Sequence, residues 1–316
     1  MRGDDRLHVG VSAWTMQMSE RHPRHWTSLY SALLDYGRRA EDLGFDSFWF
    51  AEHHFWPSGY CPSPLAAAAL IAGATERIGV GASVLLLAQH SLARVRQAIR
   101  AFEEIAPGRL VIATGLGWSE EEFAAVGLTV EDRGRVVNER LDALIADGEP
   151  IVAGRLWVAT SATTAVKRAA SRRLPILTSG PSLETAREML RRYRELAGDG
   201  SLPTLGVQLD IWPAEDKAGL DHGRRMMNLS WHNYARGKLG WRATDAQVEE
   251  YSNWRTDSRL LSGSPEEVAA KIQPYVDLGF RAFVLRVNYG VIESRQRLDD
   301  AMRLTAERVI PSLRVG

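Results

Sequence analysis

One joint is written twice in this chain. Leu43-Gly44-Phe45-Asp46-Ser47-Phe48 and Leu278-Gly279-Phe280-Arg281-Ala282-Phe283 both end a helical pattern on a glycine and open an apolar strand on a phenylalanine. Glycine suits that place because it accepts the left-handed backbone that closes a helix. Between the two copies, strand-length apolar runs alternate with helical periodicity. The expected strands are 7–13, 45–50, 78–87, 110–114, 156–160, 175–178, 204–212 and 281–287. Each is followed by a helical stretch, and no Gly/Ser-rich linker divides the chain. That rhythm predicts a single (β/α)8 TIM-barrel domain over residues 1–316, with a long helical and irregular excursion, 214–261, after the seventh strand. The competing architecture is a doubly wound open sheet, but no Gly-x-Gly-x-x-Gly follows the first strand.

Bulk properties narrow the function. Thirty-nine basic residues balance thirty-nine acidic ones, and the pI is about 7.1, so charge offers no case for a nucleic-acid partner or an anionic membrane. Cys61 is the only cysteine, which excludes an internal disulfide and a cysteine-built metal cluster. No apolar run approaches the ~18 residues of a membrane span, and no signal-peptide core follows Met1. A cytoplasmic protein is the expectation.

Chemistry is expected where the second strand leaves the core. Phe45, Phe48, Trp49 and Phe50 suit a buried strand, and Glu52-His53-His54 follow at once. Pro57, Gly59, Pro62 and Pro64 then turn the chain. Adjacent residues on extended backbone point to opposite sides, so one histidine is expected at the barrel mouth and the other behind it. Both could instead be structural. Glu52, one histidine and His90 could supply three metal ligands, although nothing in their spacing demands it, and no metal is assigned. Ser161, Thr163 and Thr164 open a helix after the fifth strand, where hydroxyls and free N–H groups suit either a phosphate or a plain N-cap. Thr114 and Gly115 end the fourth strand. Gly115 and Gly117 give backbone clearance for a planar ligand or make a simple turn. Arg133 and Arg135 supply positive charge early in a helix or are simply solvated.

With these residues in view, the chain resembles the bacterial luciferase-like flavin monooxygenase family. The resemblance runs through Ala51-Glu52-His53-His54-Phe55, Ala74-Thr75-Glu76-Arg77-Ile78-Gly79-Val80-Gly81, Gly108-Arg109-Leu110, Gly115-Leu116-Gly117, Ser161-Ala162-Thr163-Thr164, Gly263-Ser264-Pro265-Glu266-Glu267-Val268 and Val309-Ile310-Pro311. It implies a (β/α)8 fold that takes reduced FMN from a separate flavin reductase and uses dioxygen to oxygenate a small organic molecule. The expected setting is specialised metabolism such as antibiotic biosynthesis, and the expected state is a homodimer. By likeness, His53 is the proton-handling histidine, with Glu52 and His54 beside it. Ala82 and Ser83 match the stretch against the flavin ring, often with a non-prolyl cis peptide. Ser161 and Thr164 match phosphate-binding positions, and Ser179 and Gly180 lie where the sixth strand meets the flavin. Leu116 stands where luciferase has an arginine for the flavin phosphate, and Arg133 is the candidate substitute. The short connection between Asp147 and Leu156 lacks the family's proline-rich segment, which the resemblance assigns to a wall of the pocket. Two other readings stand beside this one. A deazaflavin-dependent hydride-transfer oxidoreductase shares the fold, but that branch usually carries Asp-His where this chain has Glu-His-His. A non-catalytic flavin-binding homologue is the other. Trp212, Trp231, Trp241 and Trp254 are candidates either for a substrate lid or for packing the excursion onto the barrel.

Overall fold

The computed structural model describes residues 6–13, 26–56, 60–160, 162–198, 203–240, 242–288 and 294–315. Among them, nine strands make one parallel sheet. These are β1 (His8–Ala13), β2 (Ser47–Phe50), β3 (Gly79–Leu85), β4 (Leu110–Thr114), β5 (Leu156–Thr160), β6 (Ile176–Ser179), β7 (Leu205–Pro213), β8 (Leu260–Gly263) and β9 (Ala282–Asn288). The order runs β1 to β7 and then β9, which pairs back with β1, so eight strands close a ring. The short β8 lies outside it, beside the end of β7. The expected (β/α)8 barrel is therefore present, with both glycine joints left-handed: φ is +80° at Gly44 and +103° at Gly279.

Around the ring run α1 (Trp26–Asp42), α2 (Pro64–Ala74), α3 (Leu92–Ile105), α4 (Glu120–Ala124), α5 (Arg133–Ala146), α6 (Thr163–Ala170), α7 (Leu183–Ala197), α10 (Pro265–Asp277) and α11 (Arg295–Leu304). α10 begins as its sequence promises, with a reciprocal Ser264–Glu267 cap and Pro265 in the first turn. The main core lies between strands and helices. A smaller one fills the barrel interior, built from Trp49, Val111, Ala113, Trp157, Leu177, Ala282 and Val284. Alternation along β2 explains the division: Phe48 and Phe50 face the helices, whereas Trp49 points inward and meets Trp157 edge-on at 6.4 Å. Two glycines leave room for these indoles. A Cβ on Gly10 would come within 2.8 Å of Trp49, and one on Gly206 within 2.5 Å of Trp157.

Two expectations need correction. The excursion is helical as expected, with α8 (Lys217–Leu239) and α9 (Asp245–Arg259) packed on each other, but it returns through a ninth strand, β8. A four-residue, half-buried strand carries too little pattern to be read from sequence. The short connection before β5 also cannot remove a wall over the mouth. It joins the end of α5 to the start of β5, at the N-terminal face of the ring, opposite the strand ends where such barrels carry their sites. Among the described residues, no helix is long and apolar enough to cross a membrane.

Candidate active site

Glu52, His53 and His54 leave the C-terminal end of β2 and separate at once. His53 is 8% exposed. Its ring stacks on Trp56 at 4.3 Å and meets Tyr60 at 4.6 Å, Trp118 at 5.7 Å and Tyr234 at 5.9 Å. The stack needs a tight reversal, which Phe55 provides at φ +62°, an uncommon conformation for a non-glycine residue. His53 Nδ1 lies 3.3 Å from Glu122 Oε1. A carboxylate there holds the proton on Nδ1 and leaves Nε2, with no hydrogen-bond partner among the described residues, as the nitrogen able to take a proton.

His54 faces the other way. Its Nδ1 meets Gln89 Oε1 at 3.1 Å, while Nε2 lies 3.0 Å from both the Pro62 carbonyl and Glu52 Oε1. Gln89 is oriented by its own Nε2, which donates to Glu122 Oε2. Both ring nitrogens of His54 thus face acceptors, the environment of an imidazolium, and the bond to Glu52 raises its pKa above the ordinary value. Glu52 is 2% exposed and also accepts from His90 Nε2 at 2.7 Å and the Leu86 amide at 2.7 Å. Burial pushes the Glu52 carboxyl up, but the bonds from His54 and His90 outweigh it and leave the pKa lowered. Glu122 follows the same pattern, its burial outweighed by His53 and the His54 amide. Glu52, His54 and His90 do converge, then, but around the carboxylate as hydrogen-bond donors. The chain His90–Glu52–His54–Gln89–Glu122–His53 is continuous, and sequence reading missed two of its members, Gln89 and Glu122.

The expected cofactor positions spread around the same mouth. Ala82 is fully buried, and Ser83 precedes a cis peptide to Val84, one bond beyond the expected stretch. Ser83 Oγ accepts from Gln208 at 2.7 Å once the amide oxygen is turned to Arg286, whose Nη2 in turn donates to Asp210 at 2.5 Å. Thr114 is buried and spends its hydroxyl proton on the Trp157 carbonyl at 3.1 Å. Gly115 serves the backbone: a Cβ there would sit 2.3 Å from Val84, so the clearance is for the neighbouring strand. Ser161 lies outside the described residues. Thr163 and Thr164 are exposed in the first turn of α6, where Ala162 offers no side-chain cap. Among the described residues their N–H groups meet no acceptor, as suits an anion, and Arg192, which sequence reading missed, reaches Thr163 Oγ1 at 3.1 Å. Arg133 opens α5, whose first turn lies beside α6, so that a Cβ added at Gly134 would come within 3.7 Å of the Arg168 guanidinium, and it makes no ion pair among the described residues. Arg135 is engaged elsewhere, with Asp132 and Glu139. Ser179 is exposed at the end of β6, touched by Arg259. Of the four tryptophans, Trp212 and Trp231 are buried, Trp254 is 57% exposed, and Trp241 lies outside the described residues. An open groove of about 510 Å³, lined by Leu239, Arg242, Tyr251 and Trp254 among others, sits at the tip of the excursion and not at His53, whose surroundings are filled by aromatic rings.

A closed parallel barrel with titratable groups gathered at its strand ends defines an enzyme-type TIM barrel. Within that class, the luciferase-like monooxygenase family model matches residues 9–146 and 146–282, and the chain belongs to this family. The alkanal monooxygenase alpha chain of Photorhabdus laumondii is 30% identical over 122 residues, covering 39% of this chain and 34% of that protein. The F420-dependent glucose-6-phosphate dehydrogenase of Kineococcus radiotolerans is 26% identical over 297 residues, 80% of this chain and 86% of that one. The solved monooxygenase RslO1 from Streptomyces bottropensis superposes with a TM-score of 0.78 at 18% identity, over 96% of this chain and 99% of that one. At such identity the likeness concerns the fold alone. The match covers only about a third of the length of the first curated relatives.

Proposed function

We propose that the chain is a flavin-dependent monooxygenase: it takes reduced FMN from a separate reductase and, with dioxygen, oxygenates a small organic substrate of specialised metabolism, as a cytoplasmic homodimer. The observation that carries this reading is His53, a mouth imidazole with Nδ1 on a buried carboxylate and Nε2 turned from it, enclosed by aromatic rings. The residues present fit a flavin mononucleotide. The uncapped start of α6 with Thr163, Thr164 and Arg192, joined by Arg133, suits its phosphate, and Ala82, Ser83 and Ser179, at or near the strand ends of β3 and β6, are proposed to meet its ring. When bound, reduced FMN supplies the electrons that activate dioxygen. His53 Nε2 takes and returns a proton at the reacting centre, and Glu122 holds the ring in the tautomer that allows it. Trp56, Tyr60, Trp118 and Tyr234 keep water from that nitrogen. Glu52 and His54 position the loop and do not touch the reacting atoms.

A second reading keeps its standing on one observation. The similarity to an F420-dependent dehydrogenase runs along 80% of the chain, whereas that to the alkanal monooxygenase covers 39%. Anaerobic titration with reduced FMN and with reduced F420, each followed by air-saturated buffer, separates the two. Saturable FMN binding, with flavin oxidation slowed or redirected by His53→Ala, is the expected result. Preference for F420 with no oxygen uptake would replace the monooxygenase reading with hydride transfer. Binding of neither would overturn both.

A further inference from the structure

The arm made by α8 and α9 carries cations that the reading above leaves unused. Arg255 and Arg259 lie one turn apart on α9, and their guanidiniums reach the Trp231 ring of α8 at 4.3 and 5.9 Å from its centroid. Arg286, from β9, faces the same ring at 5.7 Å. Trp231 is 2% exposed, so this meeting point is the seam between arm and barrel.

The nearby carboxylates are engaged by other residues. Asp210 holds Arg286, and Asp257 pairs with Arg224. Among the described residues, neither Arg255 nor Arg259 has a carboxylate within ion-pair distance. Arg255 Nε is buried without a hydrogen-bond partner. Arg259 Nη1 donates only to the Ser179 carbonyl and hydroxyl, at 3.2 and 3.4 Å. Like charges one turn apart on a helix repel, and desolvating a cation without a counter-charge is costly. Burial first, then Arg255 and Arg286, push the Arg259 pKa down to about 10. Aromatic rings join this pair to the mouth: Trp231 lies 5.4 Å from Tyr234, which lies 5.9 Å from His53.

We propose that Arg255 and Arg259 form an anion subsite, beside the end of β6, for a carboxylate or phosphate group of the substrate. This rests on the reading that the reaction takes place at His53. A planar guanidinium fork matches either oxyanion, and a guanidinium already laid on an indole loses little freedom on binding one. The unpartnered Arg255 Nε supplies a donor that nothing in the fold consumes. The flavin phosphate is the other possible source of such an anion, but its expected cradle is the start of α6.

The test uses the full chain and inorganic phosphate, followed by thermal midpoint and tryptophan fluorescence, with and without saturating FMN. Saturable phosphate binding that persists beside FMN is expected. The Arg255→Leu/Arg259→Met pair should weaken it about tenfold or more while leaving FMN affinity within about threefold. Should that pair not fold, Arg255→Gln serves alone, because the fold draws no side-chain hydrogen bond from Arg255, and the same loss is expected. Phosphate binding unchanged in the variants would overturn the proposal. A joint fall of phosphate and FMN affinity would also overturn it, by making the pair part of the flavin cradle. Because phosphate binding is read without turnover, it stands or falls separately from the monooxygenase reading.

Discussion

Glu122 accepts from three donors at once: His53 Nδ1, the His54 amide and Gln89 Nε2. Glu122→Gln sets an amide where a carboxylate fixed the His53 tautomer. Oxygen uptake with reduced FMN should fall about 100-fold, and urea titration should read a loss of about 1–3 kcal/mol. Unchanged uptake would remove Glu122 from the proton pathway. His54 makes a pH prediction. Its folded pKa is raised above 6.5, so its pairing with Glu52 contributes fully below pH 6.5 and is lost as pH rises through the raised value. Glu52 and Glu122 are lowered below 4.5, so their contribution is full above pH 4.5 and is lost as pH falls through the lowered values. The network therefore stabilises most between pH 4.5 and 6.5. In melts from pH 5 to 8.5, His54→Gln should flatten the decline on the alkaline side, and a parallel decline would show that His54 is not the titrating group. Glu52-His53-His54 was legible because titratable groups followed an aromatic strand. Glu122 was not, because three glutamates after Ser119 are what any helix start shows, and its partners lie 33, 68 and 69 residues away.

Helices α8 and α9 were the least legible elements. α8 buries one face, but Gly219, His222, Gly223, Ser230 and Asn233 share it with Met226, Met227 and Trp231, so its apolar stripe is diluted. Two of its close approaches are made at glycines, which leave no hydrophobic signal. A Cβ on Gly223 would lie 2.1 Å from the Trp212 ring, and one on Gly237 would lie 2.7 Å from Trp56. Gly223→Ala should therefore cost about 1–3 kcal/mol despite a gain in helix propensity. The measurement is the denaturant midpoint at unchanged m-value, and a more stable variant would mean that the Trp212 contact yields easily. Regular elements were easier: β4, β5 and α7 begin and end where sequence pattern put them. Apolar runs bounded by Gly, Pro or a capping serine leave little choice of boundary.

At the scale of the molecule, the eightfold alternation foretold the barrel, but not which face each loop adorns. That follows only once the strands are known to be parallel and closed, and it moves the short connection before β5 away from the mouth. The ninth strand has a consequence of its own. β7 lends residues 206–210 to the ring through β9, and residues 210–213 to β8. The Ala214 amide donates to the Gly263 carbonyl, so outgoing and returning chain are laced together at the root of the arm. A limb sewn down at the shoulder cannot swing as a rigid flap. The shoulder so holds Asp210 and Arg286 at fixed places beneath the Trp231 ring.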